Sequence, residues 1–276
     1  MKTLDYIKNI IKVIIWPILF GIGQFFVILI FTFSFNNNIY NNLVEKNSNL
    51  NTEEINEMFN LYMSSDEYKT SLTNYINDNT IWIILIVALI FIPLLIIKYK
   101  KIKPKFNLKS NKNIIYVILV GISISILLNL IIININKIFN IDNNMLNNKY
   151  LIQTIIASGI IGPIIEELLF RGIMFNKIKT FNTINISVLI TTLIFAFFHD
   201  TITQMLYAFI VGYICIKIYI EYDSLLFPIL FHMSCNIIVP ILNNYLINLN
   251  YIYTIMVILL TLIIFIIFYK KMYKKN

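Results

Sequence analysis

The sequence predicts an all-α fold, a polytopic membrane helical bundle of about eight transmembrane helices, with residues 1–276 forming one integral membrane domain. Three observations predict it. Of the 276 residues 58% are hydrophobic and only 13% are charged, about half the charged share of a soluble domain. The apolar residues gather into runs near 20 residues, the length a helix needs to cross a bilayer. The basic excess, a formal net charge of +8, lies between those runs, where membrane orientation requires it. It therefore calls for no nucleic-acid partner, and the apolar content excludes a disordered chain.

The first run, about 11–34, follows a basic start but is too long for a signal-peptide core and has no small-x-small cleavage site after it. It reads as a retained first span. Residues 36–80 are Asn-rich and acidic, with Glu45, Glu53, Glu54, Glu57, Asp66, Glu67 and Asp78 against Lys46 and Lys69. They read as an extracytoplasmic polar loop, with a short amphipathic helix at 53–63. Further spans are expected at about 81–97, 114–133, 151–172, 184–199, 202–220, 225–243 and 251–269. The connections near 199–202 and 220–225 are so short that the helices they join must be antiparallel.

With eight spans, Lys2, Lys8 and Lys12, the cluster Lys98 to Lys112, Lys177 and Lys179, and Lys270 to Lys275 all fall on one side. The positive-inside rule makes that side cytoplasmic, with both termini there. Heavy use of Ile, Asn, Lys and Tyr points to the cell membrane of a low-GC bacterium. Cys215 and Cys235 are isolated within apolar runs and read as small helix residues, forming neither a disulfide nor a metal cluster.

Ionisable residues at bilayer depth are costly and mark function by default. The spans hold few: Glu166, Glu167 and Arg171, His199 with Asp200, Lys217, and His232 with Asn236 one turn later. Arg171 is the only arginine, and there are two histidines in all. Glu167 and Arg171 are four apart and can pair on one helix face, which gives Glu167 a structural role. Glu166 is turned about 100° away and lacks that partner, so it suits a general base or acid. Pro163 just before them removes a backbone donor and can leave a carbonyl free. His199 alone could equally be an interfacial aromatic. His232 and Asn236 share a face and could bind a carbonyl, a water or a metal. Lys217 reads as snorkelling to the cytoplasmic face, and Asp200 receives no role. Counting residues from the cytoplasmic turns puts Glu166 and His199 at similar depth, with His232 shallower.

The motifs Glu166-Glu167-Leu168-Leu169-Phe170-Arg171, Phe195-Ala196-Phe197-Phe198-His199 and His232-Met233-Ser234-Cys235-Asn236 correspond to EExxxR, FxxxH and HxxxN. In this order on separate helices they resemble the CAAX protease and bacteriocin-processing family, also called the Abi family or type II CAAX prenyl endopeptidases. The resemblance covers about 150–240, the expected catalytic core. It implies an intramembrane endopeptidase whose cavity opens to the cytoplasm and whose substrate is a membrane-bound peptide or protein, lipidated or hydrophobic. It further implies that Glu166 activates a water, assisted by His199, that His232 and Asn236 form the oxyanion site, and that Glu167 and Arg171 support the architecture. The family is often described as metalloproteases, so zinc held through Glu166, His199 and His232 is a candidate cofactor. Two other classes compete. A non-catalytic immunity or scaffold protein would keep its phenotype without Glu166 and His232. An ion-coupled transporter would need matched broken helices, and the sequence shows none.

Overall fold

The computed structural model describes residues 3–100, 111–139, 148–199 and 201–273. Part of the lysine signal (Lys2, Lys101 to Lys109, Lys274 and Lys275) and Asp200 lie outside the described residues. Ten helices follow one another and no strand occurs among the described residues. They are α1 (Thr3–Lys46), α2 (Thr52–Met63), α3 (Asp66–Asp78), α4 (Thr80–Lys100), α5 (Asn111–Ile138), α6 (Leu151–Ile178), α7 (Ile184–Phe197), α8 (Ile202–Tyr222), α9 (Leu226–Ile247) and α10 (Tyr251–Tyr273).

Seven of these are long and apolar enough to cross a membrane. The expected eighth, α7, has 14 residues, about 21 Å against a hydrocarbon core of about 30 Å. It is short because two polar caps bound it. Thr183 accepts from the Ile186 amide at its start, and Thr201 with Gln204 forms a capping box that begins α8 at once. The outer faces of α1 and α10 leave large apolar side chains such as Phe25, Ile30, Phe33, Ile252 and Leu260 uncovered, as lipid contact requires.

The segment read as a polar loop is helical. α1 continues to Lys46, and α2 and α3 fold back on it through Tyr68 Oη donating to Asn36 Oδ1 (2.9 Å) and through the Phe35–Tyr75 and Tyr40–Phe59 ring pairs. The amphipathic helix expected at 53–63 is α2. Asn51 and Glu54 make its capping box, and Ser65 caps α3. Both helices carry two acidic residues in the first turn, where the helix dipole favours them.

The two ends of the bundle differ in charge. At one end Lys98 lies over Trp16, Lys271 over Tyr116 and Lys179 over Phe175, and Tyr222 Oη donates to the Met272 carbonyl at 2.8 Å. At the other, Lys149 pairs with Asp78 at 3.0 Å, Tyr150 Oη donates to Asn74, and Lys137 caps α9 at the Ile247 carbonyl.

The core has two main clusters. One surrounds α6, with Leu169, Phe170, Phe175 and Phe195; the other joins α5, α8 and α9 through Val117, Val211, Phe227 and Phe231. Close approach depends on glycine where α5 crosses α9. A Cβ on Gly121 would lie 2.0 Å from Ser234 Oγ and 2.8 Å from the Phe231 carbonyl oxygen. Small residues at such crossings let membrane helices touch backbone to backbone.

Candidate active site

α6 is not a uniform α-helix. Ile155–Ile161 and Leu168–Phe175 are π-helical and flank the α-helical stretch Gly162–Glu167. In the first π segment the Gly162 amide donates to the Ala157 carbonyl, five residues back. The next bond in that series would run from residue 163 to the Ser158 carbonyl, but Pro163 has no N–H. The open carbonyl is taken by a different helix: Asn236 Nδ2 on α9 donates to Ser158 O at 2.9 Å. Gly159 permits the approach, since a Cβ there would meet Ile237 Cγ1 at 2.9 Å. The free carbonyl expected near Pro163 is thus what anchors Asn236.

The i, i+4 pair expected from spacing forms. Arg171 Nη1 donates to Glu167 Oε1 at 2.8 Å, and both side chains are fully buried. Arg171 Nη2 donates to the Gly212 carbonyl of α8 at 2.8 Å, and the guanidinium lies 4.6 Å from the Phe195 ring centre. Gly212 and Phe195 shape this slot, because a Cβ on Gly212 would come within 2.7 Å of the Phe195 ring. The same Glu167 Oε1 is 2.9 Å from His232 Nδ1. A carboxylate paired with arginine only accepts, so Nδ1 carries a proton and donates to it. This fixes the ring and directs Nε2 to the other side.

Nε2 faces Glu166, with Oε2 at 3.7 Å. That is too long for a direct hydrogen bond, and a water within reach of both would sit beside the pair. Glu166 is 27% exposed where Glu167 is fully buried, so adjacent carboxylates occupy different environments, as the helix-face reading expects. The depth mismatch counted from the lysine-side turns does not keep Glu166 and His232 apart, since the two face each other. Counted from the other helix ends they agree, each lying 15 residues from Leu151 and Ile247 respectively. His199 ends α7 half-buried, its Nδ1 3.0 Å from the Phe195 carbonyl of its own helix. Its ring and that of His232 both pack against Phe195, at 5.1 and 5.8 Å between centres. The four elements therefore bring Glu166, Glu167, Arg171 and His232 into direct contact, put His199 across the Phe195 ring, and hold Asn236 one turn from His232.

Residues 148–238 match the family model described as Type II CAAX prenyl endopeptidase Rce1-like.

No curated protein and no solved structure matches the chain. The matched segment contains all seven residues that define the three motifs singled out above, in the span where the resemblance was expected, and the family it names is one of proteases.

Ligand-type atoms of Glu167, Cys215 and His232 come within 4.8 Å of one another, a trio that could hold a metal ion. It differs from the Glu166, His199 and His232 set expected from sequence, which is not gathered in this way. Nδ1 of His199 turns to its own helix carbonyl and that of His232 to Glu167, which leaves each ring only Nε2 as a ligand. The donor set does not fit zinc. Glu167 Oε1 already accepts from Arg171 and His232, which leaves only the buried Oε2, and a dication there would sit against a buried guanidinium in a low-dielectric interior. The facing pair of His232 Nε2 and Glu166 Oε2 offers two ligands where catalytic zinc takes three from protein.

Sequence reasoning missed Cys215, read as a small apolar residue. It is a free, buried cysteine lying against the Glu167–His232 contact. It also missed Gly212 and Ser158, which act through backbone oxygens and so carry no side-chain signal.

Proposed function

We propose that the chain is an intramembrane endopeptidase that hydrolyses a peptide bond of a membrane-bound, hydrophobic or lipidated peptide, using a water activated by Glu166. The observation that carries this reading is the relay Arg171–Glu167–His232, which is fully buried and aims an imidazole nitrogen at an accessible second carboxylate 3.7 Å away. Its place in the Rce1-like segment supports it.

Glu166 takes a proton from the water as its oxygen bonds to the scissile carbonyl carbon. The carbonyl electron pair moves to oxygen, and donors must meet the developing charge. His232 Nε2–H is one donor. The second N–H of Asn236, whose first is spent on Ser158 O, is the other. When the tetrahedral carbon collapses the C–N bond breaks, and Glu166 returns its proton to the leaving amine. His199 holds the water from the end of α7. Donation from both ring nitrogens makes His232 an imidazolium in this step, one cation more beside the two carboxylates and the guanidinium. Arg171 and Glu167 are positioning residues. The protein lies in the cell membrane with its lysine-rich end and both termini in the cytoplasm, following the positive-inside rule.

The test is proteoliposomes of the purified protein given a farnesylated CAAX peptide and a non-lipidated apolar peptide, with products mapped by mass spectrometry. Wild type should cleave at least one, and Glu166→Ala should fall to baseline with its thermal unfolding unchanged. Equal cleavage by Glu166→Ala would overturn the proposal.

A further inference from the structure

Cys215 lies on α8, fully buried and in no disulfide. It stands three residues after Gly212, on the same face of the helix. Helix α8 therefore offers the relay two groups one turn apart. The first is the Gly212 carbonyl, which accepts from Arg171. The second is the Cys215 sulfur, which lies within 4.8 Å of a Glu167 oxygen and a His232 ring nitrogen.

Glu167 is served on one oxygen only. Oε1 accepts from Arg171 Nη1 at 2.8 Å and from His232 Nδ1 at 2.9 Å. Oε2 is buried with no hydrogen-bond partner among the described residues. The guanidinium does not supply one, since Arg171 Nε is itself buried without a partner there. A bare oxygen on a buried carboxylate costs more than a lost neutral bond, so Oε2 marks a place for a donor. The thiol has one hydrogen to give. Its contact with the Pro228 carbonyl is long, at 3.9 Å, and that carbonyl lies inside α9, where the helix ladder already uses it. Rotation about the Cβ–Sγ bond can turn the hydrogen towards Glu167, and a charged acceptor outcompetes a carbonyl already in use. At 0% exposure no substrate carbon reaches the sulfur, which excludes it as a nucleophile.

We propose that Cys215 is a positioning residue: its thiol donates to Glu167 Oε2 and stops the carboxylate from rotating. Oε1 then stays in place for Arg171 and His232 together. A carboxylate free to turn about Cγ–Cδ would exchange its oxygens, and His232 Nδ1 would lose its acceptor. The direction of Nε2 towards Glu166 would go with it. The inference rests on the protease reading above, and its test includes a readout that needs no cleavage.

Two variants set packing against donation. Cys215→Val fills the space of the sulfur without a donor, whereas Cys215→Ser keeps a donor and loses apolar bulk. A packing role predicts that valine works and serine suffers. Donation predicts the reverse. In proteoliposomes the turnover number of Cys215→Val should fall about three- to tenfold, the worth of one neutral hydrogen bond. Cys215→Ser should stay within about twofold of wild type. KM should hold in both, because the thiol touches no substrate.

The second readout is the S–H stretching band of Cys215, isolated as the infrared difference between wild type and Cys215→Val. It should lie below that of an unbonded thiol and rise in Glu167→Gln, whose neutral oxygen accepts more weakly. Wild-type turnover in Cys215→Val, a Cys215→Ser as slow as Cys215→Val, an effect confined to KM, or a band that Glu167→Gln leaves unmoved would each overturn the positioning role. If wild type cleaves neither peptide, the protease reading fails on its own, and a shifted band would still support the contact of the thiol with Glu167.

Discussion

Replacing Arg171 by methionine removes three contacts at once while keeping most of the side-chain volume. Glu167 is left as a fully buried carboxylate with His232 and Cys215 beside it and no guanidinium, the Gly212 carbonyl loses its donor, and the Phe195 face loses its cation. Breaking a buried ion pair by removing one partner costs about 3–5 kcal/mol, most of it the stranded charge. At roughly 2–4 °C per kcal/mol for a chain of this size, the midpoint of thermal unfolding in detergent should fall by about 6–20 °C. The informative partner is Glu167→Gln in the same chain. It removes the stranded charge, so Arg171→Met with Glu167→Gln should recover most of the lost stability, giving a strongly favourable coupling in the double-mutant cycle. Recovery of stability should not restore cleavage. A neutral amide orients His232 without supporting an imidazolium, so the turnover number should stay about 10–100-fold down, as losses of orienting groups do. An Arg171→Met midpoint within 1 °C of wild type, by the scale just used, or a double variant no more stable than the single one, would refute the stranded-charge argument.

Other outcomes follow from the same geometry. Gly212→Ala places a Cβ 2.7 Å from the Phe195 ring and 3.3 Å from Arg171 Nη2 and should cost about 1–3 kcal/mol by overpacking. Gly21→Ala, whose Cβ would meet only Phe198 at 4.0 Å, should be neutral in the same unfolding assay. Pro163→Ala supplies the missing N–H for Ser158 O. Asn236 then loses its exclusive anchor, and cleavage should slow about tenfold at unchanged or higher stability; full activity would sink the dependence of Asn236 on Pro163. Chelator treatment should change neither cleavage nor the unfolding midpoint, and loss of either on metal removal would reinstate zinc. The Lys149 ammonium is held above its ordinary value of 10.5 by hydrogen bonds from it to Tyr150 and Asp78. Any stability this pair adds is present below that pH and lost as pH rises through the elevated value. Because the pair is exposed, unfolding of Lys149→Met should match wild type at neutral pH.

The spans were legible because membrane helices announce themselves by length and apolarity, and the bounds 81–97 and 202–220 fall within three residues of those of α4 and α8. Beyond the amphipathic helix at 53–63, the helicity of 36–80 was not, since its Asn-rich composition lowers propensity. The evidence for helix lay in local caps at Asn51 and Ser65 and in aromatic contacts with α1 that only folding supplies. The Glu167–Arg171 pair was readable from its spacing of four, and the separate placement of Glu166 from a 100° turn. The contact of Glu167 with His232 joins residues 65 apart on different helices, and no periodicity encodes it. The metal-ligating trio differs from the set expected from sequence for a related reason. Residue type says which atoms can ligate, while hydrogen bonds to Phe195 O and Glu167 decide which of them are free.

The two π-helical stretches of α6 bear on how this gene can change length. A π turn houses a residue that an α-helix would leave out, so each stretch behaves as an insertion absorbed without a loop. Deleting one residue from 155–161 would let the helix relax to regular bonding with its flanks and apolar faces nearly in register, since the wide turn is what absorbs the extra residue. The Ser158 carbonyl would then accept within its own helix and be lost to Asn236. Single-residue deletions here should therefore yield proteins that insert and fold but cleave slowly, whereas the same deletion in the exposed turn at 179–183 should be far better tolerated. Helix α6 is thus a segment whose residue count, and not only its composition, is under functional constraint.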